Sequence, residues 1–438
     1  MEANKNTSKV LYIFFLAFSL ALIVAGFLTG PVNEMFKGFW AILTSPQSLT
    51  VDALAVGGLN GGLFQAGMLG LIAIAILKTA KVEASGITVG AFFLTIGFSF
   101  FGKNCVNMWP ILLGTWLYAR VKKESFTKYA HFALFGGALA PVVSEMLFNR
   151  FIDIPLPLGI PLAVMAGGLI GFIIPAVSAH AATMHQGHNL FNVGLSAGLI
   201  GVLWAGIYKN AVLAPMGIEF TTNSVVSDGY RSFFLFFFGG IFIASVIAGA
   251  IINKGFKGYG TLIMRTGHSC DFSKLDGAGN VLINFGFLGI MCLAYFAIAG
   301  AKFTGPIMGS LLCITCWAGN GSHPRNVFPI MLGYMLVSLI TGTPLSATAW
   351  AVGICFATGM SPVAGRWGLI WGVLAGALHA CLVFNTASFH LGFNVYNGGF
   401  TSGIVTMVLI PILNALCKDI PTKQAEKAAK LAAQAENA

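Results

Sequence analysis

Two stretches of the chain hold histidine and asparagine at one shared spacing, and imidazole and carboxamide groups bind polar solutes through hydrogen bonds. His185, Gly187, Asn189, Asn192, Gly194 and Gly198 match His390, Gly392, Asn394, Asn397, Gly399 and Gly403 without a gap. The pattern is H-x-G-x-N-x-[FY]-N-x-G-x-[ST]-x-G. Its glycines allow the backbone to leave a helix. Each amide brings two donors and one acceptor oxygen, which suits replacing a solute's hydration shell or closing exposed helix ends. We therefore expect His185, Asn189, Asn192, His390, Asn394 and Asn397 to bind substrate around an interrupted helix in each half. The competing role is adhesive, because small and amide residues also join helices inside membranes.

A second pair of polar breaks precedes these stretches, one in each half. Gly102, Lys103 and Asn107 precede Pro110, while Gly321, His323, Arg325 and Asn326 precede Pro329. Proline suits a first helical turn, and helix N-termini attract anions. One cation beside an asparagine in each half points to an anionic or carbonyl-bearing solute and adds Lys103, Asn107, Arg325 and Asn326 to the expected site. The alternative for these cations is anchorage at the headgroups. Glu145 and Arg366 follow the matching Ala140-Pro141-Val142 and Ser361-Pro362-Val363 and are expected to pair, as ions inside membranes do. Asp52, Asp271 and Asp276 open their segments and read as N-caps. His180, His185 and His188 have metal-like spacing, but Asn385 and Phe393 replace two of them in the second half. No metal or other cofactor is expected. Cys313 and Cys316 sit in an apolar run, where cysteine packs as a small hydrophobe.

The elements that must position these groups lie in lipid. Of 438 residues, 57% are hydrophobic and 9% charged, with mean hydropathy +0.84. A soluble domain carries roughly 25% charged residues. The run 10–28 is long enough to span a bilayer and has no cleavage-site pattern before Pro31, so it reads as a retained first span. A net charge of +10 does not indicate nucleic acid, because the cations cluster at the ends of apolar segments.

The internal similarity extends beyond the motif. Residues 105–114 align with 324–333, 63–70 with 282–289, and Asp52 with Asp271, all 219 positions apart. The chain divides into repeat 1 (1–215), repeat 2 (216–420) and a helical tail (421–438). Lys5 and Lys9 precede the first span, whereas Lys254 and Lys257 follow its counterpart, so equivalent spans run in opposite directions. The expected fold is an all-α polytopic membrane protein, two inverted repeats with broken or re-entrant helices. The short segments 86–101 and 107–121 are either two short spans or a hairpin of half-helices. Lysine placement predicts a cell membrane protein with both termini in the cytoplasm.

The polar repeat motif resembles that of a bacterial multi-pass membrane family of unknown function, over nearly the whole chain. The layout of inverted repeats with half-spanning segments also resembles urea-transporter-type channels, in architecture alone. The expected function is a channel or transporter for a small polar or anionic solute, with its path at the repeat interface. A proton- or sodium-coupled carrier is the alternative, with Glu145, His185 and His390 as titrating candidates. An intramembrane enzyme is the alternative from another class, disfavoured because catalytic constellations are rarely duplicated. Expected partners are the lipid bilayer, the solute and further copies of the chain in a homo-oligomer, with no nucleic acid.

Overall fold

The computed structural model describes residues 2–148, 151–220 and 224–436. Repeat 1 contains α1 (Glu2–Leu28), α2 (Val32–Leu43), α3 (Ala53–Thr79), α4 (Gly86–Ser99), α5 (Trp109–Val121), α6 (Ala130–Gly136), α7 (Ala140–Phe148), α8 (Leu156–Met184) and α9 (Asn192–Ile207). Repeat 2 contains α10 (Arg231–Asn253), the short α11 (Tyr259–Leu262) and α12 (Phe272–Leu275), α13 (Gly277–Ile298), α14 (Gly305–Thr315), α15 (Pro324–Thr341), α16 (Thr348–Ala357), α17 (Ser361–Trp367), α18 (Leu369–Phe389) and α19 (Asn397–Leu416). The tail is α20 (Ile420–Glu436). Among the described residues, nine helical segments are long and apolar enough to cross a membrane. The chain is an all-α polytopic membrane protein.

Most cations gather at one end of the bundle. Ser8 reaches Ala84, Thr127 reaches Ala80, and Gly86 reaches Asp271 through hydrogen bonds of 2.8, 2.6 and 3.1 Å. These contacts bring the start of α1 together with the loops that carry Lys81, Lys122, Lys123 and Lys274. At the opposite end Arg231 donates to the Ala301 carbonyl at 3.2 Å, so α10 starts where α1 finishes. Equivalent spans are therefore antiparallel.

Helices α4 and α14 confirm the inversion from inside. Gly86 packs on Gly319, Gly97 on Gly309, and Gly305 on Phe100. Partners run in opposite order along two equivalent helices, as a two-fold axis perpendicular to both requires. The helices α9 and α19 cross in the same way, with Gly198 against Phe400 and Gly403 against Leu195. At these glycines a side chain would overlap the partner.

Helices α4 and α5 have 14 and 13 residues, about 20 Å each, short of a ~30 Å hydrocarbon core. Their outer ends meet at Ala80 and Thr127, so they form an antiparallel pair whose ends open on the same side. Between the repeats, Phe14, Phe18, Phe93 and Phe285 pack with ring centroids 4.6 to 6.5 Å apart.

Candidate functional site: two motifs and two cavities

Each motif folds into the same hydrogen-bonded knot. In repeat 1, His185 Nε2 meets Asn192 Oδ1 at 2.8 Å, and His185 Nδ1 accepts the Asn189 N–H at 3.3 Å. Asn192 Nδ2 donates to the Ser178 carbonyl at 3.0 Å, and Asn189 Oδ1 accepts the Phe191 N–H at 3.0 Å. Repeat 2 reproduces all four bonds, through His390–Asn397 at 2.9 Å, Asn394 N–H at 3.4 Å, Val383 carbonyl at 3.0 Å and Tyr396 N–H at 3.0 Å. Because Nδ1 accepts, Nε2 carries the hydrogen and donates to the amide oxygen. Both ring nitrogens of each histidine are thus used inside the motif. The knot closes the carbonyl end of one helix and opens the next, and Gly187 and Gly392 turn the chain at φ of 75° and 74°.

Each break is also held by the other repeat. Between α6 and α7, and between α16 and α17, the helix tightens for one turn around Ala138 and Gly359. Leu190 N–H donates to the Gly359 carbonyl at 2.9 Å, and Val395 N–H to the Ala138 carbonyl at 3.0 Å. One bond breaks the symmetry. Asn189 Nδ2 reaches the Gly399 carbonyl at 3.2 Å, while Asn394 Nδ2, buried, has no partner among the described residues.

Two cavities flank this interface. The one at the lysine-rich end, about 330 Å³, is bordered by His185, Asn189 and Asn192, with Lys128, His131, Ser269 and Phe135. The other, about 290 Å³, is bordered by Asn397, with Thr50, Thr348, Val352 and Phe356. Asn192 corresponds to Asn397, Phe135 to Phe356 and Ser269 to Thr50, so the cavities are two-fold equivalents at opposite ends of the bundle. Each motif helix begins only about four residues, ~6 Å, from the α9–α19 crossing. The motifs therefore lie either side of the midplane and border two cavities instead of one.

Six rings fill the space between. Phe191 and Tyr396, equivalent to each other, stand 5.2 Å apart at their centroids. Phe98 meets Tyr396 at 5.1 Å and Trp317 meets Phe191 at 5.8 Å. Phe98 with Phe356 and Trp317 with Phe135 are both at 6.2 Å. The Tyr396 hydroxyl and the Trp317 indole N–H, both buried beside the lysine-rich cavity, lie against each other, and among the described residues neither completes a hydrogen bond to a third group.

Of the predicted site residues, His185, Asn189, Asn192 and Asn397 border these cavities, and His390 and Asn394 support one from behind. The cationic breaks do not converge on them. Lys103 is fully buried and donates to the Leu134 carbonyl at 3.0 Å and Thr95 Oγ1 at 3.3 Å, at the carbonyl end of α6. Asn107 ties the loop by donating to the Gly102 carbonyl and Ser144 Oγ at 3.0 and 2.9 Å. Arg325 is exposed beside Met264, and with Asn326 it borders a shallow recess of about 270 Å³ near the tail. Each break was expected to bring one cation to the site, but Lys103 aligns with Ser322 and not with Arg325. One cation is internal and the other superficial. The expected Glu145–Arg366 pair is also absent. Arg366 pairs with Asp419 at 2.7 Å and contacts His188 at 3.2 Å, while Glu145 accepts from Tyr208 at 3.0 Å.

Two expected caps, Asp52 and Asp271, also reach the other repeat, and two structural residues, Gln65 and Asn284, escaped the sequence reading. Asp52 caps α3 through the Leu54 N–H at 2.8 Å and also accepts the Gly305 N–H at 3.2 Å, opening α14 of the other repeat. Asp271 does the same for Ser273 and Gly86, both at 3.1 Å. Gln65 closes the end of α4 through the Ser99 carbonyl at 2.8 Å, and Asn284 closes its counterpart through Ala318 and Ser322, both at 2.8 Å. Their recurrence 219 positions apart was the available signal.

One family model, described as "Protein of unknown function (DUF1576)", matches the chain twice, over residues 31–210 and 234–415. The chain belongs to this family. Each match falls within one structural repeat, so each matched half carries one knot. No curated protein and no solved structure shows a significant match.

Proposed function

We propose that this DUF1576 protein carries a small polar or anionic solute across a cell membrane, through the repeat interface. The observation that supports this most is the pair of two-fold-equivalent cavities at opposite ends, divided by the six rings. Inverted repeats around a central barrier suit alternating access, in which the halves exchange conformations and expose the site to either side. The closed ring layer favours a carrier over a permanently open channel. Excess lysine at one end supports a cytoplasmic side for both termini.

The solute's chemistry follows from the lysine-rich cavity. The Trp317–Tyr396 pair at its border can still present a donor to a solute, and Lys128 and His131 border the same cavity. A carboxylate or carbonyl oxygen fits, beside an apolar body against Phe135 and Val193. The reading assigns the chain no covalent chemistry.

The test is uptake of labelled small carboxylates and amides into proteoliposomes. At least one solute should enter faster than into protein-free vesicles. Trp317→Phe and Tyr396→Phe, which remove one donor each at little cost in volume, should slow that uptake about tenfold. Absence of uptake for every solute, or uptake indifferent to both substitutions, overturns the proposal.

A further inference from the structure

A groove with exposed apolar walls opens on the outer side of repeat 1, beside the short helix α5. Because α5 is short and tilts toward α8, a cleft of about 930 Å³ opens between it and α3. Ile72, Ile76, Leu112, Leu113 and Val164 form apolar walls, and Trp109 and Trp116 stand along one side. At the lysine-rich end the groove finishes at Lys81 and the hydroxyls of Ser125 and Thr127. Arg120 lies over the Trp116 ring, 4.9 Å from its centroid. Among the described residues neither Lys81 nor Arg120 has a carboxylate partner, whereas neighbouring Lys128 pairs with Glu124 at 3.1 Å. In repeat 2 the counterparts of Lys81, Trp109 and Trp116 are Gly300, Phe328 and Met335, and α15 is 18 residues long and packs on α13. The cationic end and both tryptophans are therefore peculiar to one half.

We propose that this groove binds an anionic phospholipid, with one acyl chain between α3 and α5 and the phosphate at Lys81 and Arg120. An acyl chain matches the walls, and tryptophan suits the depth where chain meets headgroup. Two unpaired cations at the membrane surface attract an anionic headgroup over a zwitterionic one. The groove is separate from the cavities at the repeat interface and does not depend on the transport reading.

The probe is brominated-chain phosphatidylglycerol, with brominated phosphatidylcholine as reference, each titrated into the detergent-purified full chain while tryptophan fluorescence is read. Phosphatidylglycerol should quench at lower mole fraction than phosphatidylcholine. Lys81→Gln and Arg120→Gln should each weaken that preference about fivefold. Trp116→Phe should remove most of the lipid-specific quenching. Lys254→Gln with Lys257→Gln, two surface cations on the other half, should leave it unchanged. Both groove cations are exposed, so folding is not at stake. Equal quenching by the two lipids, or equal loss from the control substitutions, means a general lipid annulus and overturns the proposal.

Discussion

The His–Asn knots and the Gly-Asn breaks are both duplicated, but while the knots repeat in full, the breaks repeat their asparagine-to-glycine bond and not their cation. Four hydrogen bonds of the first knot recur in the second within about 0.1 Å. At the breaks, a buried ammonium on the α6 carbonyl end faces, across the pseudo-two-fold, a serine hydroxyl 3.0 Å from Ser361. The difference separates what the architecture needs from what one side of the membrane needs. An interrupted helix must satisfy its ends wherever it sits in lipid, because unpaired backbone there costs several kcal/mol per group. A cation has no such obligation, so it marks a task of repeat 1 alone. The cavities differ in the same sense, with Lys128 and His131 bordering one and no ionisable side chain bordering the other.

The largest expected effect tests the shared half of this comparison. Asn192→Leu and Asn397→Leu each orphan a buried histidine N–H and remove the amide's bond to a helical carbonyl, at about 3 kcal/mol per knot. The two substitutions should lower thermal stability in detergent by similar amounts and, combined, prevent recovery of folded protein. If one is neutral, the knots are not equivalent and the symmetric account of the breaks is wrong.

The next effect tests the unshared half. Lys103→Met removes a buried charge without a carboxylate partner and should leave stability equal or higher, since replacing buried ions by apolar side chains is often neutral or favourable. Ser322→Lys places a cation where only Ser361 Oγ and nearby carbonyls are available and should cost about 3 kcal/mol. Unequal melting temperatures in that direction would show that Lys103 serves function at no gain in stability. Under the proposed function, Lys103→Met should then fold and lose uptake.

How much of this was legible in the sequence divides along the same line. The span pattern, the inverted direction and the interrupted helices followed from hydropathy, lysine placement and the repeated glycines, because those signals are local and the structure repeats them. The roles inside the motif did not follow. That His185 and His390 spend both nitrogens on their own motif depends on how the chain doubles back, which spacing does not encode. Lys103 and Arg325 stand four and one residues from their asparagines and looked interchangeable. Alignment at the constant offset puts Ser322 opposite Lys103, and that small shift moves one cation into the interior and leaves the other at the surface. Asp52 looked like a local cap because its second partner, Gly305, is 253 residues away.

A smaller effect probes the crossing on the axis. Gly198→Ala drives a methyl group into the Phe400 ring, and Gly403→Ala drives one into Leu195. Overpacking at this level costs about 2 kcal/mol. Gly206, with open space around it, is the control and should tolerate alanine. Matching losses at Gly198 and Gly403 support an axis that passes between α9 and α19.

The smallest expected effect concerns Glu145 and Arg366, equivalent residues that diverged in partner as well as in charge. Arg366 holds Asp419 at the root of α20 and touches His188 beside the first knot, so it links the tail to the lysine-rich cavity. The ion pair is partly exposed, and such pairs contribute less than about 1 kcal/mol. Arg366→Gln should therefore leave the melting temperature nearly unchanged. Its effect should fall on the tail, whose docking beyond α19 rests on few other contacts. Trypsin should cut at Lys418 and Lys423 several times faster in the variant than in the unmodified chain, with the membrane-embedded part intact. An unchanged cleavage rate would mean that α20 is held by its apolar contacts at Ile420, and the link between tail and cavity would lose its basis.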